Sequence, residues 1–154
     1  MYKRQVETAE EMFRATQKNL PTDIAIFSAA VADFKIDKQI NKKIKKKNLS
    51  IKLEKNIDIL NYVSNHNSMR PKLVIGFAAE TNDVDKNANI KLISKNCDWI
   101  IANDISKKES GFNSDYNEVT IHYKNPKFEK EKLSLKKKSE ISEEIVDRIA
   151  AQIY

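Results

Sequence analysis

The sequence predicts an α/β fold: a mostly parallel sheet flanked by helices, with a C-terminal antiparallel strand pair. Three short, continuously apolar runs, Asp23 to Ala30, Lys72 to Ala79 and Asp98 to Ala102, read as strands buried on both faces. Helical stretches alternate with them, which is the order that builds parallel sheets. After residue 115 two further runs, 118–123 and 128–135, read as antiparallel strands that extend or edge the sheet.

In chain order, Thr8-Ala9-Glu10-Glu11 is a capping box, in which Thr8 and Glu11 satisfy each other's backbone donors. The helix it starts runs to about Asn19, where Leu20-Pro21 stops it. The first strand follows. Residues 33–48 are polar, lysine-rich and aperiodic, a long loop of the functional or mobile kind. Leu49 to Leu53 alternates as a short strand, and Ile57 to about Asn65 suits a short helix. The second strand ends in Glu80-Thr81-Asn82-Asp83, a helix-start signal. In the helix from Val84 to Asn96, Ile90, Ile93 and Cys97 are expected to face the core, with Ala88, Lys91 and Lys95 opposite. Ser139 is expected to cap a last helix whose Ile141, Ile145, Ile149 and Ile153 form one stripe.

At 154 residues the chain suits one domain. Its two glycines, Gly76 and Gly111, exclude a Gly-rich phosphate loop of either common kind within these residues. The net charge of +6 favours an anionic partner, with basic runs at Lys42–Lys47 and Lys136–Lys138. A solvated basic loop accounts for the first run equally well. No aromatic residues interleave with these lysines, which argues against a nucleic-acid partner. A lone cysteine fits a reducing compartment and reads as a buried thiol. Without a long apolar run or a signal-peptide core, the chain is expected to be cytoplasmic, with no membrane partner. Neither His66 nor His122 stands in a catalytic or metal-binding motif.

In such sheets ligands bind beyond the carboxyl ends of the parallel strands. Three clusters end those strands: Ser28 to Asp33, Gly76 to Thr81, and Ala102-Asn103-Asp104. Each pairs small residues with a polar one, so a ligand can approach the backbone and be oriented. Ordinary strand-to-helix turn chemistry gives the same pattern. Lys91 and Lys95, spaced i, i+4, project from one side of their helix and can clamp a polyphosphate. Taken alone, a solvated helix face is the simpler account of them. A lysine from the 42–46 run can fold over a triphosphate and offset charge as pyrophosphate departs.

Eight motifs in order form a recognisable series. They are Thr8 to Met12, Ala29-Ala30-Val31-Ala32-Asp33-Phe34, Lys43-Ile44-Lys45-Lys46, and Asn56-Ile57-Asp58-Ile59-Leu60. Gly76 to Thr81, Ala88 with Lys91, Leu92 and Lys95, Asp98 to Asp104, and Gly111 to Asp115 complete it. From about Val6 onward the chain resembles the phosphopantothenoylcysteine synthetase domain. That domain is the CTP-dependent phosphopantothenate–cysteine ligase half of the bifunctional bacterial flavoprotein of coenzyme A biosynthesis.

The resemblance implies a Rossmann-like sheet and a two-step ligation. CTP activates 4′-phosphopantothenate as an acyl cytidylate, and cysteine then displaces CMP. It also implies Mg2+ with the triphosphate, a homodimer, and a phosphopantothenoylcysteine decarboxylase, fused or separate. Carried over by position, Lys43 matches the flap lysine that acts on the activated intermediate, and Asp33 a nucleotide-contacting aspartate. Asn56, Ile57, Asp58, Ile59, Leu60 and Phe77 match segments that hold CTP. Lys91 and Lys95 match its phosphate ligands, and Ala29 and Ala30 a turn against nucleotide and intermediate. The alternative is a non-catalytic cytidine-nucleotide-binding module on the same fold.

Two departures stand out. Ile57 occupies a position where the family usually has proline, a change that removes a fixed φ and adds an N–H donor. The family's N-terminal strand, Gly-rich turn and asparagine would lie before Met1, and Met1 to Gln5 match nothing in it. The reading is therefore of an N-terminally truncated domain, with weak or no ligase activity alone and residual CTP affinity.

Overall fold

The computed structural model of the chain describes residues 2–37, 50–106 and 114–153. Helix α1 (Ala9–Lys18) leads to strand β1 (Ile24–Phe27), and β2 (Phe34–Ile36) pairs with β3 (Leu53–Lys55) as an antiparallel ribbon. Then come α2 (Ile59–Ser64), β4 (Leu73–Glu80), α3 (Val84–Lys95) and β5 (Trp99–Asp104). The chain continues through β6 (Tyr116–Tyr123), β7 (Glu131–Lys137) and α4 (Lys138–Ile153). Among the described residues the main sheet has five strands in the order β1-β4-β5-β6-β7. Strands β1, β4 and β5 are parallel, and β6 and β7 are antiparallel. This is the α/β arrangement that the apolar runs predict, and it sets the carboxyl ends of three strands along one rim. No helix among the described residues is long and apolar enough to cross a membrane.

Alternation along β4 and β5 divides the core into two layers. Leu73, Ile75, Trp99 and Ile101 meet Ile141, Ile145 and Ile149 of α4, the stripe predicted for that helix. Val74, Ala78, Ile100 and Ala102 face Val63 of α2 and Ala88 and Leu92 of α3. Gly76 lies on the α2 side, where an added Cβ would stand 2.6 Å from Leu60 Cδ2 and 2.9 Å from Ile100 Cδ1. A larger residue there would make the methyl ends of Leu60 and Ile100 shift, because α2 packs close to the sheet.

The structure corrects several boundaries and faces. β1 is shorter than the apolar run and is not buried on both sides: it ends the sheet order, and Ile26 is exposed beyond the reach of α4. The loop expected over 33–48 contains β2, which pairs with β3 at 53–55, whereas the sequence predicts the short strand over 49–53. The rest of that loop, from 38 to 48, lies outside the described residues, as does Leu49. On α3 the expected face is reversed: Ala88 and Leu92 are buried, whereas Ile90 and Ile93 are 54% and 77% exposed. Close approach of the helix to β5 favours the small Ala88 over a larger side chain. At the start of α1, Thr8 Oγ1 accepts from the Glu11 N–H, but the Glu11 carboxylate accepts from Glu7 rather than Thr8. Ser139 does not cap α4, which begins at Lys138 directly after β7; Glu140 accepts from the Lys137 N–H instead.

Candidate functional site

The rim is formed by the residues after Phe27, by Gly76 to Glu80, and by Ala102 to Asp104. Register places Phe27 beside Gly76, and Glu80 beside Asp104. Ala29 and Ala30 follow β1 and are exposed, as is Asp33 just before β2. Asn56 ties the next segment to them: its Nδ2 donates to Ala32 O at 2.8 Å and its backbone N–H to Asp33 O at 2.8 Å. Asn56 thus fixes the spacing between the β1 exit and the segment 56–60.

That segment does several jobs at once. Asp58 caps α2, its Oδ1 accepting from the Asn61 N–H at 2.9 Å, and its other oxygen pairs with Lys95. Ile57 is exposed, Ile59 is buried in the core, and Leu60 packs against Gly76. The side chain of Ile59 is therefore a packing residue, which leaves only its backbone to face a ligand. Phe77 is partly exposed and, by strand alternation, points to the face opposite Gly76 and Ala78. Lys43 lies outside the described residues, as do Gly111, Phe112 and Asn113.

Helix α3 presents three sides to three neighbours. Ala88 and Leu92 pack on the sheet, and Asp85 and Asn89 face His122 of β6. Asn87, Lys91 and Lys95 turn toward β4 and α2. The two lysines do not converge on one point. Lys91 Nζ is 2.6 Å from Glu80 Oε1, whereas Lys95 pairs with Asp58. Each ammonium is thus held at the rim by its own carboxylate. Sequence reasoning missed this, because each pair joins residues from separate elements and no local spacing links them.

His122 was another omission. Its buried ring sits with Nε2 3.2 Å from Asp85 Oδ1 and Nδ1 3.3 Å from Asn89 Oδ1. Burial pushes the imidazole pKa down, with Asp85 opposing that shift. Lys130 beside Asp85 holds that carboxyl below its ordinary range. A cleft of about 550 Å³ opens next to this group, lined by Asp83, Asp104, Thr120 and Lys132 among others. Cys97 is fully buried, and burial raises its thiol pKa to about 11, so it is a structural thiol as the sequence suggested.

Comparison with known proteins follows the same line. Residues 1–153 match the family described as DNA/pantothenate metabolism flavoprotein C-terminal domain, so the match takes in Met1 to Gln5, which the sequence reading left outside it. The chain is 42% identical over 147 residues to the coenzyme A biosynthesis bifunctional protein CoaBC of Haemophilus influenzae, covering 94% of this chain and 36% of that protein. The namesake from Bacillus subtilis is 38% identical over 132 residues, covering 84% of this chain and 32% of that one. The chain therefore spans about a third of the length of the curated relatives it matches. Among solved structures, the C-terminal domain of a CoaBC protein superposes with a TM-score of 0.73 at 33% identity, covering 97% of this chain and 65% of that one. A DNA/pantothenate metabolism flavoprotein from Streptococcus pneumoniae shares the fold, with a TM-score of 0.69 at 21% identity over 96% of this chain and 69% of that one.

Proposed function

Since the chain belongs to the DNA/pantothenate metabolism flavoprotein C-terminal domain family, we propose that it serves as a phosphopantothenate–cysteine ligase in coenzyme A biosynthesis. The observation that carries this reading is the pair of ammonium groups of Lys91 and Lys95 at the carboxyl-end rim, beside the segment that Asn56 ties to Asp33. Such a rim is where α/β sheets take nucleotides, and two lysines suit the charge of a triphosphate.

In this reading the carboxylate of 4′-phosphopantothenate attacks the α-phosphorus of CTP, and pyrophosphate leaves. The amine of cysteine then attacks the acyl carbon, loses a proton, and CMP departs with its oxygen. Lys91 and Lys95 bind the phosphates, Lys43 acts on the activated intermediate, and Asp33, Asn56 to Leu60, Phe77, Ala29 and Ala30 hold the nucleotide. Mg2+ would travel with the triphosphate. An ion of this kind is bound mainly by phosphates, with one or two carboxylates from the protein. Asp33 and Asp58 are the carboxylates among the proposed nucleotide contacts.

The partner proposed is a second copy of the chain. Phe34, Ile36 and Leu53 form an exposed apolar face on the β2–β3 ribbon, and an isolated two-stranded ribbon is marginal without a covering surface. Sedimentation at micromolar concentration tests this, and a monomer would contradict it.

The decisive experiment follows pyrophosphate release by the full-length protein given CTP, phosphopantothenate and cysteine. Release that needs both CTP and phosphopantothenate is expected, with product formation requiring cysteine. Saturable CTP binding without any release would instead favour a non-catalytic nucleotide-binding module.

A further inference from the structure

Glu80 ends β4 with its side chain turned toward α3 and only 13% exposed. A carboxylate so far removed from water needs partners, and it divides its oxygens between two. Oε1 lies 2.6 Å from Lys91 Nζ, and Oε2 accepts from Asn87 Nδ2 at 3.2 Å. Asn87 also donates to Asn82 O at 3.0 Å, in the turn between β4 and α3. That turn is held in a demanding form, since Asp83 adopts a left-handed φ of 45°. The Ile105 N–H donates to Glu80 O at 2.9 Å, so the backbone of Glu80 is tethered to the end of β5 as well. The carboxylate is braced from the turn through Asn87, and the backbone that carries it is tethered to the end of the neighbouring strand.

The Lys91 side chain differs in kind: it is 43% exposed and reaches Glu80 with its terminal nitrogen. An ammonium has three donors, and the ion pair with Glu80 engages at most one of them, so two or more remain for a ligand. A free lysine on a helix surface samples many rotamers, and ordering it on binding costs conformational entropy. A fixed carboxylate removes much of that cost in advance.

We propose that Glu80 is a positioning residue that holds the Lys91 ammonium at the rim for the phosphates of the bound nucleotide. This rests on the reading of the rim as a nucleotide site. Glu80 itself touches no substrate; it acts through Lys91. The opposite electrostatic outcome is conceivable on the same geometry, because a carboxylate beside a phosphate site also repels the phosphate and competes for the lysine. The two differ in the sign of their effect on affinity, and that makes the proposal testable.

The experiment compares CTP and CMP binding by the full-length protein and its Glu80→Gln variant, using calorimetry. Glutamine keeps the side-chain shape and removes the charge. CTP affinity is expected to fall roughly tenfold, with CMP affinity changing much less. In a Lys91→Ala background Glu80→Gln should have little further effect on CTP, because its action runs through that lysine. If Glu80→Gln does not fold, Glu80→Asp, which keeps the charge on a shorter arm, is measured with the same nucleotides and the same expected direction. Unchanged or tighter CTP binding, or an equal loss for CMP, would overturn the proposal while leaving the nucleotide site intact. Absence of CTP binding by the unsubstituted protein would overturn the functional reading itself.

Discussion

Alanine at both Lys91 and Lys95 is expected to weaken CTP binding by roughly a hundredfold, with CMP affected far less. Hydrogen bonds to charged groups are worth about 1.5–3 kcal/mol each, and partial exposure of both lysines argues for the lower end. At about 1.4 kcal/mol per tenfold, two such contacts give the stated factor. The two single variants should differ in another respect. Removing Lys91 leaves Glu80, a mostly buried carboxylate, with Asn87 as its remaining side-chain partner among the described residues. Removing Lys95 leaves Asp58, which is 40% exposed and still caps α2. Lys91→Ala should therefore lower the unfolding temperature more than Lys95→Ala. Calorimetric titration and thermal unfolding of the two variants check both statements. Unchanged CTP affinity in the double variant would return these lysines to an ordinary solvated face.

The parts of the fold that were legible in the sequence are those where burial constrains every residue. β4 and β5 read as uninterrupted apolar runs because both their faces are covered, and α4 read as a stripe because Ile141, Ile145 and Ile149 all meet one sheet face. β2 was illegible because three residues are too few to display a period. The orientation of α3 was misread because the helix carries apolar residues on two sides, Ala88 with Leu92 and Ile90 with Ile93. Counting hydrophobicity selects the isoleucines, whereas the distance between helix and sheet selects alanine. At the candidate site the lysines were visible from their spacing, but their counter-ions were not. Glu80 and Asp58 meet them only after β4, α2 and α3 have packed together. His122 was hidden for the same reason, since Asp85 and Asn89 reach it from another element.

Replacing Asp98 with alanine is expected to cost about 3 kcal/mol of folding stability, although it lies away from the rim. Arg70 and Asp98 are each about a quarter exposed, at 27% and 25%. Arg70 Nη2 stands 3.1 Å from both carboxylate oxygens, and Asp98 Oδ2 also accepts from the Val74 N–H at 2.7 Å. The guanidinium spends its other donors on carbonyls: Nε on Ser64 O at 2.8 Å, Nη1 on Pro71 O at 3.0 Å, and Nη2 on Asn96 O at 3.1 Å. Ser64 ends α2 and Asn96 is the C-cap of α3, so two helix ends have carbonyls satisfied by this one side chain. Without Asp98 the arginine loses the charge that holds it there, and the Val74 N–H loses an acceptor. Such breakage typically costs about 3–5 kcal/mol when the pair is fully buried, and the exposure here places the estimate at the low end. Asp98→Asn keeps an acceptor for Val74 and should cost roughly half as much. Urea unfolding reads both values. If Asp98→Ala and Arg70→Ala are each harmful but no worse together, the two act as one clasp; full additivity would mean that Arg70 works through the helix carbonyls alone. Because this clasp joins the ends of α2 and α3, its loss should also loosen the spacing between Asp58 and Lys95, which those helices carry to the rim.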